Sequence, residues 1–240
     1  MKILCLECSA TPASVAIIED GKIIGSSFIN IKLTHSQTLM PMVESLLKAT
    51  KISISDIDGI AISQGPGSFT GIRIGISAAK GLAFTKNLPC VGVSTLRAMA
   101  ENFKGNNCVV CAVMDARCNQ VYNALFDIEN DSIKRICDDR ALLCDELAKD
   151  IDNLIKTSEK EVIICGDGTD LFYKFTNDNP RVKKATEIYK FQNASAVGLA
   201  AFENFKYGKT ISANELLPVY LRLPQAEREL KSKNIQEEKL

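Results

Sequence analysis

The chain has 240 residues, of which 46% are hydrophobic and 24% charged, and this composition is typical of a globular protein with a sizeable core. Its 29 basic residues balance its 29 acidic ones, which argues against a domain that grips nucleic acid alone but allows a subunit of a nucleic-acid enzyme. No apolar run approaches the roughly 20 residues that span a bilayer, and the N-terminus turns polar at Glu7, too early for a signal peptide. We therefore expect a cytoplasmic protein that does not contact a membrane.

Nine cysteines lie scattered within apolar segments, which favours a reducing cytosol over a disulfide framework. Cys5/Cys8 and Cys108/Cys111 have Cys-x-x-Cys spacing, but both pairs lie in strand-like runs. Residues three apart in a strand point to opposite faces, whereas a zinc site needs a turn that brings the sulfurs together. The sequence therefore predicts buried small hydrophobic residues here, and no metal site.

The first half of the chain predicts a three-stranded meander followed by alternating helices and strands. The meander turns at Asp20-Gly21, and Ser94 is placed to cap a helix. Strands are predicted over residues 3–8, 14–18, 22–29, 60–63 and 90–93, and helices over residues 36–49, 72–84 and 95–102.

The pattern then restarts, which predicts two lobes built on one plan. The boundary falls near the polar stretch 104–107. Strands are predicted over residues 108–114, 120–126, 132–137 and 162–165, and helices over residues 145–155 and 196–205. We therefore expect an N-terminal lobe over 1–104, a C-terminal lobe over 105–224 and a charged tail over 225–240, exposed or frayed.

A glycine-rich run over residues 63–75 joins a predicted strand to a predicted helix. Such a turn either presents backbone amides to a phosphate or forms a tightly packed corner. The run lacks the Lys-Ser/Thr of a Walker A loop, and its Gly65-x-Gly67-x-x-x-Gly71 spacing is one residue too long for a dinucleotide fingerprint. The pattern leaves both interpretations open. Arg73 could pair with a phosphate or carboxylate, although a structural arginine is the commoner case.

The end of the first predicted strand reads Glu7-Cys8-Ser9-Ala10-Thr11. In phosphoryl-transfer folds built on paired meanders, such a turn faces nucleotide phosphates and its carboxylate holds a metal or water. A turn stabilised by its own side chains is the alternative, and the residues alone favour it.

His35 is the only histidine, so this chain cannot hold a catalytic triad or a two-histidine metal site by itself. Its position just before a helix predicts a capping or surface role. Asp115 and Arg117 predict a salt-bridged hairpin corner, with a substrate-facing pair as the alternative. The run Gly166-Asp167-Gly168-Thr169 suits either an adenosine-side glycine turn or a helix cap.

Two apolar stripes follow the first two predicted helices. In a fold with helices on both sides of a sheet such stripes are core, and a second apolar face on the same helices indicates an oligomer interface. Small residues at Gly75, Ala78, Ala79 and Gly81 would let a neighbouring helix approach closely. The stripes consist of Leu39, Met42, Val43 and Leu46 on the first helix and of Ile72, Ile76, Ala79 and Ala83 on the second.

Several motifs in this order resemble the TsaB (YeaZ) family, the bacterial partner subunits in tRNA threonylcarbamoyladenosine synthesis. The Gly-Pro-Gly-Ser-Phe-Thr-Gly block is the most specific of them. The motifs are residues 65–73, His35-Ser36-Gln37 with Leu39-Met40-Pro41, Met114-Asp115-Ala116-Arg117 with Val121-Tyr122, Gly166-Asp167-Gly168, and Pro218-Val219-Tyr220-Leu221-Arg222. The resemblance implies an α/β fold of the actin/Hsp70-like (ASKHA) type, with two duplicated lobes of mixed sheets flanked by helices.

The resemblance also implies a non-catalytic subunit that binds and activates a TsaD-type transferase. The reaction is the threonylcarbamoyl modification of the adenosine next to the anticodon of ANN-decoding tRNAs. The catalytic TsaD relatives carry a metal-binding histidine pair, which this chain lacks. The family's first strand usually ends in Asp-Thr-Ser, and Glu7-Cys8-Ser9 departs from that pattern, which weakens any case for nucleotide chemistry in this chain.

The same resemblance supplies expectations about partners and site residues. We expect a TsaD-type subunit and a TsaE-type ATPase as partners, a homodimer when the chain is alone, and only indirect contact with tRNA. The chain would require no cofactor, and ATP or ADP would lie at the complex interface through the partners. The implied interface residues are Leu39, Met42, Val43, Leu46, Ile72, Ile76 and Ala79, and the implied nucleotide-facing residues are Glu7, Ser9, Gly65, Gly67, Ser68 and Thr70.

The sequence also allows two other functions, both less well supported. A stand-alone kinase or ATPase of the same fold is the main alternative, and the missing histidine pair and the glutamate at position 7 count against it. A protease is disfavoured because His35 would have to act without a nucleophile–histidine–acid set in fixed order.

Overall fold

The computed structural model describes residues 1–222, so the charged tail predicted over 225–240 lies outside the described residues. No helix within residues 1–222 combines the length and apolar character needed to cross a membrane.

The N-terminal half forms a five-stranded mixed sheet in the order β3-β2-β1-β4-β5. Strands β1 to β3 are antiparallel, whereas β4 lies parallel to both β1 and β5. The elements are β1 (Lys2–Glu7), β2 (Ala13–Glu19), β3 (Lys22–Ile29), α1 (His35–Thr50), a 3-10 turn (Ile54–Asp56), β4 (Gly59–Gly65), α2 (Phe69–Phe84), β5 (Cys90–Ser94) and α3 (Thr95–Glu101).

The second half repeats this plan, with a sheet in the order β8-β7-β6-β10-β11 and a short β9 that also pairs with β7. The equivalent strand orders confirm the predicted pair of duplicated lobes and, with it, the actin/Hsp70-like fold. The elements are β6 (Asn107–Asp115), β7 (Gln120–Glu129), β8 (Ser132–Arg135), β9 (Arg140–Leu143), α4 (Cys144–Thr157), β10 (Val162–Cys165), α5 (Thr169–Phe172), a 3-10 turn (Tyr173–Phe175), β11 (Val182–Lys184), α6 (Glu187–Lys190) and α7 (Ala194–Lys206).

Helices cover both faces of each sheet. Helices α1 and α2 pack on one face of the first sheet and α7 packs on the other. In the second lobe, α3 covers one face and α4 the other. Because α3 also contacts α7, these two helices join the lobes at the base of the molecule.

The last part of the chain returns to the first lobe, and this corrects the predicted C-terminal lobe of 105–224. Gly198 of α7 lies so close to Ile18 and Cys5 that a side chain there would clash with the sheet. Ile211 then pairs with Cys90 at the edge of β5, and Leu216 is fully buried in the N-terminal core. The sequence does not reveal this arrangement, because α7 packs against the first sheet, whose last strand ends about a hundred residues before α7 begins.

The two apolar stripes of α1 and α2 are core. All seven side chains expected at a subunit contact, which are Leu39, Met42, Val43, Leu46, Ile72, Ile76 and Ala79, are at most 6% exposed and pack against β1, β2 and β4. A side chain buried within its own lobe cannot contact a second subunit, so this choice of residues was wrong.

The Cys-x-x-Cys pairs behave as the strand pattern predicts. Cys5 packs on the α7 side of the first sheet and Cys8 on the α1/α2 side. Cys108 and Cys111 likewise enter the two different cores of the second lobe. Each pair is therefore split between opposite faces, where the two sulfurs cannot share a metal ion.

Candidate functional site

A cleft of about 720 Å³ lies between the lobes. Three groups of residues line it. The first comes from the β1–β2 turn and the segment that leads into α1, the second from the glycine-rich run, and the third from the second lobe and residues 220–222. They are Ser9, Ala10, Thr11, Lys32, Leu33 and His35; Gly67, Ser68, Phe69 and Thr70; and Met114, Asp115, Ala116, Arg117, Tyr122, Asp167, Tyr220 and Arg222. Four of the six residues expected to face a nucleotide line the cleft, whereas Glu7 and Gly65 lie outside its lining.

The glycine-rich run forms a packed corner against the end of β1. A side chain at Gly67 or Gly71 would clash with the carbonyl oxygen of Ser9 or Cys8, respectively. The Ser68 amide donates a 2.6 Å hydrogen bond to the Ser9 carbonyl oxygen, and the Ser68 hydroxyl accepts one of 3.2 Å from the amide of Gly71 to cap α2. The run is therefore a packed corner on the chain's own turn, and its residues 67–70 also line the cleft.

Glu7 is fully buried beneath this corner. Its Oε1 accepts a 2.6 Å hydrogen bond from the Ser9 amide, so its carboxyl group closes the β1–β2 turn. Burial raises the pKa of Glu7, and the nearby charge of Asp167 acts in the same direction, while hydrogen bonds from Ser9 oppose the shift. Oε1 is thus engaged in the turn, which agrees with the self-stabilised turn that the residues alone favoured, whereas Oε2 is buried without a hydrogen-bond partner.

His35 joins the start of α1 to the same turn. Its Nε2 lies 2.7 Å from the Ala10 carbonyl oxygen, and the ring lines the cleft. Of the capping or surface role predicted for His35, capping is wrong, because His35 is the first residue of α1 and Thr34 occupies the capping position. The imidazole instead fixes the β1–β2 turn against the helix.

The β6–β7 turn forms the opposite wall. Arg117, Cys118 and Asn119 all adopt left-handed backbone conformations, which direct the chain tightly back into β7. Asp115 Oδ1 accepts a 2.7 Å hydrogen bond from the backbone amide of Arg117. The carboxylate therefore holds the turn through the backbone, and the predicted side-chain salt bridge between Asp115 and Arg117 is not among the ion pairs of residues 1–222.

The Gly166-Asp167-Gly168 turn packs directly on β6. Side chains at Gly166 and Gly168 would clash with the backbone of Val113 and Met114, which explains both glycines. Gln192 donates a 3.0 Å hydrogen bond to Asp167 Oδ1 at the edge of the cleft. Burial raises the pKa of Asp167 to about 6, and the charge of Asp115 adds to the shift.

Residues 216–222, which we call the C-terminal strap, run from the N-terminal core to the mouth of the cleft. The Val219 amide donates a 2.7 Å hydrogen bond to the Gln64 carbonyl oxygen at the end of β4. Arg73 Nε donates a 2.8 Å hydrogen bond to the Tyr220 hydroxyl, and the Arg73 guanidinium carbon lies 3.8 Å from the centre of the Phe69 ring. Arg73 is thus a structural arginine, the commoner of the two roles considered for it.

The strap ends on the other lobe, where the guanidinium group of Arg222 donates a hydrogen bond to the Ala116 carbonyl oxygen in the β6–β7 turn. The Pro-Val-Tyr-Leu-Arg motif was visible in the sequence, but its role depends on partners about 100 to 150 positions away. Only the fold brings these residues together.

The cleft is polar and mixed in charge. Lys32, Arg117 and Arg222 supply positive groups, and Asp115 and Asp167 supply negative ones. No group of three or more histidine, cysteine, aspartate or glutamate side chains within the described chain is arranged to hold a metal ion. Such a surface can bind a polar ligand, although Asp115 is hydrogen-bonded within the β6–β7 turn and Asp167 accepts a hydrogen bond from Gln192.

Comparison with known proteins agrees with this architecture. The family model described as TsaD, tRNA N6-adenosine threonylcarbamoyltransferase, matches residues 23–230. The tRNA threonylcarbamoyladenosine biosynthesis protein TsaB of Escherichia coli is 32% identical over 97% of this chain and 100% of its own length, and that of Bacillus subtilis is 29% identical over 95% and 96%. The structure of YeaZ from Pseudomonas aeruginosa superposes with a TM-score of 0.79 at 27% identity, covering 92% of this chain and 99% of that one. Because these relatives match almost from end to end, the chain belongs to the TsaB (YeaZ) family.

Proposed function

We propose that this protein is the non-catalytic partner subunit that binds and activates a TsaD-type transferase. The modified product is threonylcarbamoyladenosine, formed next to the anticodon of ANN-decoding tRNAs. Two lines of support are the end-to-end similarity to proteins named for this biosynthesis and the match to the transferase's own family model.

One observation carries the non-catalytic part of the proposal, namely the hydrogen bond from the Ser68 amide to the Ser9 carbonyl oxygen. In a phosphoryl-transfer enzyme of this fold, the turn after β1 faces the phosphates. Here the glycine-rich run packs on that turn, and Glu7 is turned back onto the Ser9 amide. These contacts do not fit a nucleotide phosphate at this turn, which also counts against a stand-alone kinase or ATPase.

The contact with the transferase is best placed on the outward faces of α1 and α2. Met40 is 44% exposed on α1, and Ile74, Ala78 and Gly81 form a small apolar ridge on α2 that is at least partly exposed. A side chain added at Gly81 would meet open space, so a partner helix could approach closely there. The same surface would pair two copies of this chain when the transferase is absent.

We also propose the following features of the complex, which the similarity to the TsaB family implies. ATP or ADP would be held by the partners, including a TsaE-type ATPase, with this chain requiring no cofactor. A chain of zero net charge suits indirect contact with tRNA. Nine free cysteines, seven of them buried, suit the reducing conditions of the cytoplasm.

A drop-out reconstitution tests the proposal. Reactions would contain TsaC, TsaD, TsaE, ATP, threonine, bicarbonate and tRNA, with or without this protein, and nucleoside mass spectrometry would measure modified adenosine. We expect product only when this protein is present, and no ATP turnover by this protein alone. Unchanged product in its absence would overturn the activating role, and ATP turnover by the isolated chain would overturn the non-catalytic one.

A further inference from the structure

We infer that the C-terminal strap is an interlobe clamp, in which Arg73 and Tyr220 anchor the strap on α2 and Arg222 fixes the width of the cleft by holding the β6–β7 turn. The inference concerns the isolated chain and does not rest on the identity of any partner.

The anchor on the N-terminal lobe has several independent contacts. Besides the 2.8 Å hydrogen bond from Arg73 to Tyr220, the Tyr220 ring lies 4.7 Å from the Phe69 ring, centre to centre. The Arg73 guanidinium group therefore lies against one aromatic ring while it bonds to the other, an arrangement that favours arginine over lysine. Further back, Lys80 Nζ donates a 3.2 Å hydrogen bond to the Asn214 carbonyl oxygen.

The backbone of the strap is seated equally firmly. Val219 is hydrogen-bonded to Gln64 through its amide, and its carbonyl group lies so close to Gly65 that any side chain at Gly65 would clash with it. This explains a glycine of the Gly-Pro-Gly block that does not line the cleft. The strap thus behaves as part of the N-terminal lobe up to Tyr220.

Contact with the second lobe is made at the end of the strap, where the Arg222 guanidinium group donates a hydrogen bond to the Ala116 carbonyl oxygen. Elsewhere the lobes meet mainly through α3 and α7 at the base, where Asn193 donates a 3.1 Å hydrogen bond to Asn102. Ser94 at the start of α3 also donates a 2.5 Å hydrogen bond to Asp139, and Ala10 packs in the core of the second lobe.

In this inference the lobes rotate about the α3–α7 contact. The hydrogen bond from Arg222 holds the cleft at one width, and its loss allows the cleft to widen. Since Arg73 lies on α2, movement of that helix would reach the clamp directly.

Interlobe distances measured by electron paramagnetic resonance test this clamp. Cys118 is exposed at the tip of the β6–β7 turn and provides a label site on the second lobe. Ser36→Cys, on the exposed first turn of α1, provides the site on the N-terminal lobe, in a Cys137→Ser background because Cys137 is half-buried. The doubly labelled chain would be diluted with unlabelled chain, so that only distances within one molecule are read.

We expect one narrow distance distribution in this reference protein. Arg222→Ala should shift the distribution to longer distances and broaden it, and Tyr220→Ala should do the same by freeing the strap. Arg222→Lys, which keeps one cationic donor, should restore at least part of the narrow distribution. Leu217→Ala is the matched control, since Leu217 is a 62% exposed strap residue.

A folded Arg222→Ala variant with the reference distribution would overturn the clamp and reduce the strap to a packing element of one lobe. If Arg222→Ala fails to fold, Tyr220→Phe decides the question, because it removes only the hydroxyl that Arg73 binds. An unchanged distribution in Tyr220→Phe would likewise overturn the inference. None of these readouts involves tRNA modification, so they can fail while the proposed function stands.

Discussion

The thiol of Cys8 donates a 3.1 Å hydrogen bond to the carbonyl oxygen of Gly71, which ties the end of the first strand to the first turn of α2. The contact is possible because Gly71 has no side chain, and the backbone of Cys8 occupies the space where one would lie. The end of β1, the turn after it and the start of α2 are therefore held together beside the cleft, which the neighbouring residues Ser9 and Thr70 line.

Gly71→Ala should destabilise the protein. The added methyl group would meet the Cys8 carbonyl oxygen, and neither backbone segment can move without disturbing the sheet or the helix. We expect the free energy of unfolding to fall by about 1–3 kcal/mol, the usual cost of overpacking. Urea denaturation would measure the change.

Gly81→Ala is the matched control on the same helix, because a side chain at Gly81 meets open space. Replacing an exposed helical glycine by alanine should raise the free energy of unfolding by about 0.5–1 kcal/mol. Equal effects at the two positions would show that α2 is not held against Cys8 in solution.

Asp167→Asn should change how stability depends on pH. The pKa of Asp167 is about 6 in the folded protein against an ordinary value of 3.8, so the folded state binds more protons than the unfolded state between these values. Stability from this group is therefore lost as the pH rises from about 4 to about 6. The variant lacks this loss. The difference in free energy of unfolding between variant and parent should therefore rise in the variant's favour by up to about 3 kcal/mol from pH 4 to pH 7. Unfolding curves at a series of pH values would measure the difference.

Asp170→Asn is a control, because the pKa of Asp170 is shifted in the opposite direction to that of Asp167. Hydrogen bonds from Lys184 and Lys190 lower the pKa of Asp170 to about 2, so its contribution is present above about pH 4 and is lost as the pH falls through 2. Its side chain is 62% exposed, and solvent screening limits the expected loss at pH 7 to less than about 1 kcal/mol. If both variants shift stability in the same direction, burial of Asp167 is not the cause.

Local patterns predicted most of the elements of this fold. The third strand and the strand Val162–Cys165 have the predicted bounds, and Ser94 caps α3 by accepting a 3.1 Å hydrogen bond from the amide of Arg97. Residues 140–143 and 182–184 were missed as strands, because three or four residues are too few to show an alternating pattern.

The features that sequence reasoning missed are long-range. Nothing local in α7 shows that it belongs to the first lobe, and nothing near Arg222 shows that its partner is Ala116. The sequence shows that the glycines mark tight turns or close approaches. It does not show which backbone segment each glycine contacts, because those segments are distant in the sequence. Apolar periodicity also identifies a buried face without saying whether the lobe itself or a partner covers it, and this ambiguity led to the wrong interface residues.

Val43→Glu or Ile76→Glu should unfold the N-terminal lobe. Both side chains are core residues, 2% and 5% exposed, and an unpaired carboxylate placed among aliphatic neighbours costs at least about 3 kcal/mol. Circular dichroism and thermal unfolding would show the loss. Ser45→Glu, at an exposed position of the same helix, should change stability by less than about 0.5 kcal/mol. If the Val43→Glu chain folds and loses only subunit pairing, the apolar stripes of α1 and α2 would be interface residues after all, and their assignment to the core would be wrong.

Gly81→Trp should block pairing while leaving the lobe folded. The position is open in the isolated chain, so the indole ring can extend into solvent, but it would hold a partner helix away from the ridge formed by Ile74, Ala78 and Gly81. We expect at least a tenfold loss of affinity for a TsaD-type subunit by calorimetry, equivalent to about 1.4 kcal/mol, and a matching loss of self-association by ultracentrifugation. Unfolding curves would verify that the fold is retained.

Two controls separate this contact from a general effect of a surface tryptophan. Gly81→Ala keeps the ridge low and should retain pairing, and Lys209→Trp places the same ring at an exposed position just beyond α7. Undiminished binding by Gly81→Trp to both the transferase and a second copy would remove the outward face of α2 from the interface. Loss of binding in Gly81→Trp and Lys209→Trp alike would trace the effect to the tryptophan itself. A loss confined to Gly81→Trp would place the partner on the helix that also carries Arg73, and so next to the anchor of the strap.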